Sequence, residues 1–216
     1  MIDLNAYQGV IFDFDGTLVD SMGLWHEIDI RYLGKRNIAC PPDLSRCIAG
    51  MSFSETAQYV KDRFDLPEDI DTIQKEWIDM SHHLYLSDIA FKPGALNFIK
   101  KLNALAMPMA IATSNNRMTT EAYLGQHGLL PDFKTLCFTG EVGAGKPDPA
   151  VFLAAADGLR ADPRRCLVFE DTFEGLTGAK NAGMTAVAVA DPFQDSERVR
   201  SVADFYTENF ISFERL

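Results

Sequence analysis

Short apolar runs at Gly9 to Phe12, Met109 to Ala112, Leu136 to Phe138, Cys166 to Phe169 and Thr185 to Ala190 divide the chain. Runs of this length, bounded by polar residues, read as buried strands. The segments between most of them carry helical signals. Asp148-Pro149 has the form of an N-cap followed by proline at the first helical position. Thr172 is placed to cap a helix whose end Gly183 marks. Strands alternating with helices imply an α/β chain with a parallel sheet covered on both faces.

One connection breaks the alternation. Asp13 to Met109 is far longer than an ordinary crossover, which needs a dozen or so residues. The stretch from Asp20 to Leu86 is helical in character. Met22, Trp25, Ile28 and Tyr32 recur at helical spacing. Ser52 and Glu55 fit a capping box opening a second helix, and Pro67-Glu68 opens a third, running toward Leu86. The expected organisation is a core of residues 1–18 and 89–216 with a small helical cap of residues 19–88. The insertion leaves the carboxyl end of the first strand, where open parallel sheets bind ligands, so the cap is expected to be a lid.

Composition narrows the classes of partner. The 216 residues are 47% hydrophobic and 24% charged, ordinary values for a soluble globular chain. The formal net charge of −11 repels nucleic acid and anionic lipid. It permits an anionic substrate, because a bound metal and one or two cations invert the sign inside a pocket. The cysteines, at 40, 47, 137 and 166, form no C-x-x-C pair. Cys137 and Cys166 read as small buried hydrophobes. The segment Met1-Ile2-Asp3-Leu4-Asn5 lacks a signal-peptide pattern, and no apolar run reaches membrane-span length. The expectation is a cytoplasmic protein with reduced thiols, a monomer or weak dimer, with no nucleic acid and no membrane among its partners.

The apolar runs end in reactive or polar residues: Asp13-Phe14-Asp15-Gly16-Thr17, Thr113-Ser114-Asn115 and Glu170-Asp171. A two-residue period places Asp13 and Asp15 on one side. Four acidic groups, Asp13, Asp15, Glu170 and Asp171, are therefore expected to converge, and such a cluster needs a cation. Oxygen ligands of this kind favour Mg²⁺. Each piece has a plainer reading. Asp15-Gly16 alone is a common turn signal. D-x-D-G also echoes a calcium loop, but the glycine comes two places early and position 24 is Leu. Gly140 to Lys146 nearly spells a phosphate-cradling G-x-x-x-x-G-K loop, yet Pro147 stands where a Ser or Thr would hold magnesium. Lys146 then reads as a lone cation beside the acidic cluster, against the alternative of a surface lysine.

Taken together, Asp13-Phe-Asp15-Gly-Thr17, Thr113-Ser-Asn115, Lys146-Pro-Asp148-Pro, and Glu170-Asp171 with Gly175 and Ala182-Gly183-Met184 resemble the four motifs of the haloacid dehalogenase superfamily. They come in order and span nearly the whole chain. The resemblance is nearest to the β-phosphoglucomutase-like and sugar-phosphatase branch, which implies a Rossmann-like parallel-sheet core with an inserted small α-helical cap. It implies Asp13 as the nucleophile that becomes an aspartyl phosphate. It implies Asp15 as general acid and then base, with its backbone carbonyl on magnesium. Thr113, Ser114 and Asn115 fall at the phosphate-binding motif, with Thr113 and the Ser114 amide on the phosphoryl oxygens. Lys146 would stabilise charge, Asp171 would bind Mg²⁺, and Glu170 would do so directly or through water. Dehalogenases lack the second aspartate and phosphonate hydrolases replace it, so neither fits Asp15.

In the cap, Trp25, His26, Gly50, Met51, Ser52 and Phe53 match places where relatives contact substrate. Core packing is the plainer role for Trp25, and a solvated helix face for His82-His83. The function expected is a Mg²⁺-dependent phosphatase acting on a small phosphorylated metabolite such as a sugar phosphate. The alternatives are a phosphomutase and a catalytically idle binding module. β-Phosphoglucomutases carry a cap arginine and a histidine where this chain has Phe53 and Trp25, although His26 and Arg46 lie close by.

Overall fold

The structure, a computed structural model, describes residues 2–215. Strand β1 (Gly9–Phe12) leads into helices α1 (Met22–Gly34), α2 (Leu44–Ile48), α3 (Phe53–Phe64) and α4 (Ile70–Asp88). Then come α5 (Ala95–Ala104), β2 (Met109–Thr113), α6 (Arg117–Gln126), β3 (Thr135–Phe138) and the short α7 (Thr139–Val142). The chain continues through α8 (Ala150–Leu159), β4 (Cys166–Glu170), α9 (Phe173–Asn181), β5 (Thr185–Val189), α10 (Ser196–Val202) and β6 (Phe205–Thr207). The five apolar runs are β1 to β5. The sixth strand had no signal, because three residues on a sheet edge carry no alternation to read.

All strand pairs are parallel, in the order β3-β2-β1-β4-β5-β6. β1 lies between β2 and β4, with Phe12 beside Ile111 and Phe169. This is where the strand order reverses, and the cleft of such a sheet opens at its carboxyl edge there. Alternation sorts the strand side chains onto two faces. Val10, Phe12, Ile111, Leu167, Phe169, Val187 and Val189 pack with α5 and α6. Ile11, Ala110, Ala112, Val168, Ala186 and Ala188 pack with α8 and α9. The first face is aromatic, with Phe12 stacked on Phe169 at 5.3 Å and both in contact with Phe98. The second is lined with alanine, which lets its helices approach closely.

Helices α1 to α4 bury a core of their own that includes Ile28, Tyr32, Leu33, Val60, Ile73 and Trp77. Ser52 and Glu55 form the capping box of α3. α4 opens at Ile70, two residues after Pro67-Glu68, because the Asp69 side chain caps it by accepting from the Thr72 N–H. Similarly, Pro149 is the cap of α8 rather than its first residue, and Asp148 Oδ1 accepts from the Ala150 N–H at 2.9 Å. Thr172 caps α9, and Gly183 lies just past its end at φ +78°. The chain enters and leaves the helical insertion side by side: the Asp20 N–H donates to Ala90 O and the Lys92 N–H to Leu18 O. The last turns of α4 reach back to the sheet, where Tyr85 packs on Phe14 and Tyr123. The four cysteines are free thiols. Among the described residues no helix is long and apolar enough to cross a membrane.

Candidate active site

Asp13 directly follows β1, and its N–H extends the ladder by donating to Phe169 O at 2.9 Å. Glu170 ends β4 and Asp171 follows it. The hydrogen-bonded strands therefore set the three carboxylates side by side, and one oxygen from each lies within 4.8 Å of the others. All three residues are buried. Lys146 bridges two of them, its Nζ donating to Asp13 Oδ1 and Glu170 Oε1 at 2.6 Å each. Glu170 Oε2 accepts from the N–H and hydroxyl of Thr172. Asp171 Oδ1 accepts from Thr17 Oγ1 at 2.9 Å, while Asp171 Oδ2 is buried without a partner.

Two glycines make room for this packing. Gly16 sits at φ +76°, and a β-carbon there would lie 2.4 Å from Asp171 Oδ2. A β-carbon on Gly175 would lie 1.9 Å from Glu170 Oε1.

Burial pushes Asp13 up to about 7, helped by Glu170 and Asp15 and opposed by Lys146. Burial also raises Asp171 well above the carboxylate range, with Glu170 and Asp13 adding to it. Burial alone would favour neutral Lys146, but the charges of Asp13 and Glu170 outweigh it and raise the ammonium. Three buried carboxylates facing one buried cation retain excess negative charge. Together with the orphaned Asp171 oxygen and the hard oxygen donor set, this fits a divalent cation held by Asp13, Glu170 and Asp171.

The fourth acidic side chain points elsewhere. Asp15 Oδ1 accepts from Ser21 Oγ at 2.5 Å, Trp25 Nε1 at 2.8 Å and Tyr85 Oη at 2.7 Å. Its Oδ2 accepts from Asn115 Nδ2 at 2.7 Å. So three carboxylates form the close group, not four, and the Asp15 side chain is held by its own set of donors while its charge still reaches Asp13. Burial and the Asp15 charge raise the Tyr85 phenol well above its ordinary range, which keeps it a donor. Oδ1 is filled by three donors, whereas Oδ2, with one, keeps a lone pair free.

The phosphate-motif residues end β2. Thr113 Oγ1 accepts from the Asn115 N–H at 3.0 Å, and Asn115 in turn holds Asp15. The helical insertion closes directly on this edge. Gly50 O accepts from the Lys146 N–H at 2.7 Å and from Ser114 Oγ at 3.3 Å. Gly50 takes φ +78°, and its close approach to Lys146 leaves no room for a side chain. Beneath this contact is a cavity of about 670 Å³, lined by Asp13, Asp15, Thr113, Ser114, Asn115, Lys146 and Glu170 on the sheet side. Lys146 points into it, with its amine on two carboxylates rather than on a nucleotide loop; the peptide bond to Pro147 is cis.

A family model for haloacid dehalogenase-like hydrolases matches residues 10–189, which include every residue of this cluster. The chain belongs to that family. A bifunctional riboflavin kinase/FMN phosphatase of Arabidopsis thaliana is 32% identical over 83% of this chain, which spans 48% of that protein's length. A probable pseudouridine-5′-phosphatase of Drosophila melanogaster is 29% identical, with 93% of this chain and 92% of that protein covered. A β-phosphoglucomutase structure from Clostridium difficile superposes with a TM-score of 0.82 at 18% identity, covering 95% of this chain and 92% of that one. The first two carry phosphatase names, and the haloacid dehalogenase-like chain described here is a hydrolase of phosphatase type.

On the cap side, five of the six substrate residues expected in this haloacid dehalogenase-like chain line the cavity: Trp25, His26, Gly50, Met51 and Phe53. Ser52 instead is buried in the capping box. Trp25 does more than pack, since its indole N–H reaches Asp15. Phe53 stands between the rings of Trp25 and Trp77, at 6.2 and 5.6 Å. His26 packs on the half-exposed ring of Phe193. His82 and His83 lie off the cavity, on α4.

Sequence reasoning quoted Thr17 in the first motif without giving it a role, and missed Ser21, Asp29 and Tyr85. Of those three, only Tyr85 left a usable trace: it continues the four-residue stripe Ile73, Trp77, Ser81 that marks the buried side of α4.

Proposed function

We propose that the protein is a Mg²⁺-dependent phosphatase of a small phosphorylated metabolite, working through an aspartyl phosphate on Asp13. The observation that supports this most is Lys146, buried between Asp13 and Glu170 beside the orphaned oxygen of Asp171. Asp13 Oδ attacks phosphorus, and the leaving alcohol takes its proton from Asp15. Asp15 then removes a proton from water as that water cleaves the acyl phosphate, which regenerates Asp13. Lys146 holds the nucleophile and balances charge on the transferring group, while Thr113 and the Ser114 N–H orient its oxygens. Asp13, the Asp15 carbonyl, Glu170 and Asp171 would hold Mg²⁺, which when bound supplies further charge neutralisation. The chain divides, in this reading, into a catalytic core of 1–18 and 89–216 and a cap of 19–88 hinged where Asp20 pairs with Ala90 and Lys92 with Leu18.

Hydrolysis is preferred to phosphomutase chemistry because Phe53, wedged between two tryptophans, stands where the resemblance expects the mutase arginine, and Arg46, which also lines the cavity, is exposed. A Mg²⁺-dependent release of phosphate from 4-nitrophenyl phosphate, lost in Asp13→Asn, tests the proposal. Retained activity in that variant, or after chelation, refutes it. With β-glucose 1-phosphate and a trace of the bisphosphate, isomerisation faster than phosphate release would restore the mutase.

A further inference from the structure

Asp29 is among the cavity-lining groups that take no part in the proposed chemistry. Asp29 lies on α1 one turn beyond Trp25, so both side chains project from the same helix face. Both line the cavity. Asp29 is partly buried, yet it has no hydrogen-bond donor and no ion-pair partner among the described residues. This is unusual for a carboxylate, which is rarely desolvated without compensation. Desolvation alone raises its pKa, with no neighbouring cation to offset it. The same cavity is lined by the apolar Ile28, Ile48, Phe53 and Trp77. Arg46 also lines it, but it is exposed and forms no bridge to Asp29.

We propose that Asp29 is the recognition group for the non-phosphate end of the substrate. The substrate class is then a phosphomonoester whose leaving alcohol carries an uncharged hydrogen-bond donor, a sugar hydroxyl or a ring N–H, with no second anion at that end. The proposal rests on the phosphatase reading of the same cavity. Its logic is satisfaction of a partly buried acceptor that faces the cavity. A hydroxyl or N–H brought against Asp29 restores the hydrogen bonds that the fold withholds, and the aromatic walls take up the ring face that carries it. A distal phosphate or carboxylate would place like charges together in a low-dielectric chamber and be rejected. Asp29 touches no reacting atom, so its effect falls on binding rather than on the chemical step.

The chain has two tryptophans, Trp25 and Trp77, and both line this cavity, so their fluorescence reports binding without turnover. The experiment measures kcat/KM for ribose 5-phosphate, uridine 5′-phosphate, fructose 1,6-bisphosphate and 4-nitrophenyl phosphate in wild type, Asp29→Asn and Asp29→Leu. It also measures dissociation constants for the first three in the Asp13→Asn background by fluorescence. The expected result is a wild-type preference for ribose 5-phosphate or uridine 5′-phosphate over both other esters. Whichever is preferred identifies the donor as hydroxyl or ring N–H. In Asp29→Leu that preference falls by about tenfold or more, through KM and through binding, with the Asn variant intermediate. An unchanged preference in folded Asp29→Leu overturns the proposal, as does wild-type preference for the bisphosphate or for 4-nitrophenyl phosphate. Donor-selective binding lost in Asp29→Leu, with no phosphate released from any ester by wild type, would refute the phosphatase reading and leave the recognition role standing.

Discussion

The indole N–H of Trp25 donates to Asp15 Oδ1 across 2.8 Å. A residue of the helical insertion thus holds the side chain assigned to proton transfer, and Tyr85, from the far end of the same insertion, holds the same oxygen. Movement of the insertion would remove both donors together.

Trp25→Phe and Tyr85→Phe keep an aromatic ring and delete one donor. Each is expected to lower kcat by about tenfold on every substrate, with KM changed little, because the proton-transfer group loses its orientation. The resemblance placed Trp25 where relatives contact substrate, a role that would change relative rates among substrates. The hydrogen bond to Asp15 instead predicts a uniform loss, and steady-state rates on two unrelated esters distinguish the outcomes.

Lys146→Ala is expected to reduce turnover by about 100-fold or more, since it removes a fixed charge aimed at the transferring group. It also leaves Asp13 and Glu170 buried without their shared cation, a loss of roughly 3–5 kcal/mol when one partner of a buried pair is deleted. The melting temperature should therefore fall in chelator and recover in part with millimolar Mg²⁺. A variant as stable as wild type in chelator, with less than tenfold loss of rate, would contradict this.

Mg²⁺ should stabilise the folded protein in proportion to its occupancy, by about 2.7 kcal/mol at a hundredfold excess over its dissociation constant. Asp171→Asn should abolish most of that gain, because it changes the carboxylate oxygen of the cluster that is buried without a protein partner. Melting curves with and without Mg²⁺ for the two proteins make the comparison.

Asp29 makes a pH-dependent difference to stability. Burial pushes its carboxyl up to about 7 from 3.8. Between those values the folded chain keeps a proton that the unfolded chain has lost. The folded state therefore loses stability as pH rises through this window and does not regain it above pH 7. Asn lacks this term. The melting temperature of Asp29→Asn relative to wild type should be near zero at pH 4 and rise to a gain on the order of 5 °C by pH 8. Titrations elsewhere are common to both proteins and cancel. Cys40, raised by burial and by Asp29 itself, ionises above the window. A difference that does not change with pH would show that Asp29 is hydrated in the folded state.

Five strands, the helical insertion and the acidic residues at the strand ends could be read from the sequence, because each is a local pattern. Apolar runs of strand length, a capping box at Ser52 and Glu55, and Asp13 and Glu170 at the ends of apolar runs all lie within a few neighbouring residues. The order of the strands, and hence the meeting of Asp13 with Glu170 and Asp171, depended on pairing across more than 150 residues. The anchoring of Asp15 beside that cluster was equally invisible. Its donors come from Ser21, Trp25, Tyr85 and Asn115, up to 100 residues apart, and no spacing rule brings them to one carboxylate. Asp29 was silent for the opposite reason. Its significance lies in the partner it lacks, and only the packing of α1 against the cavity shows that none of the described residues supplies one.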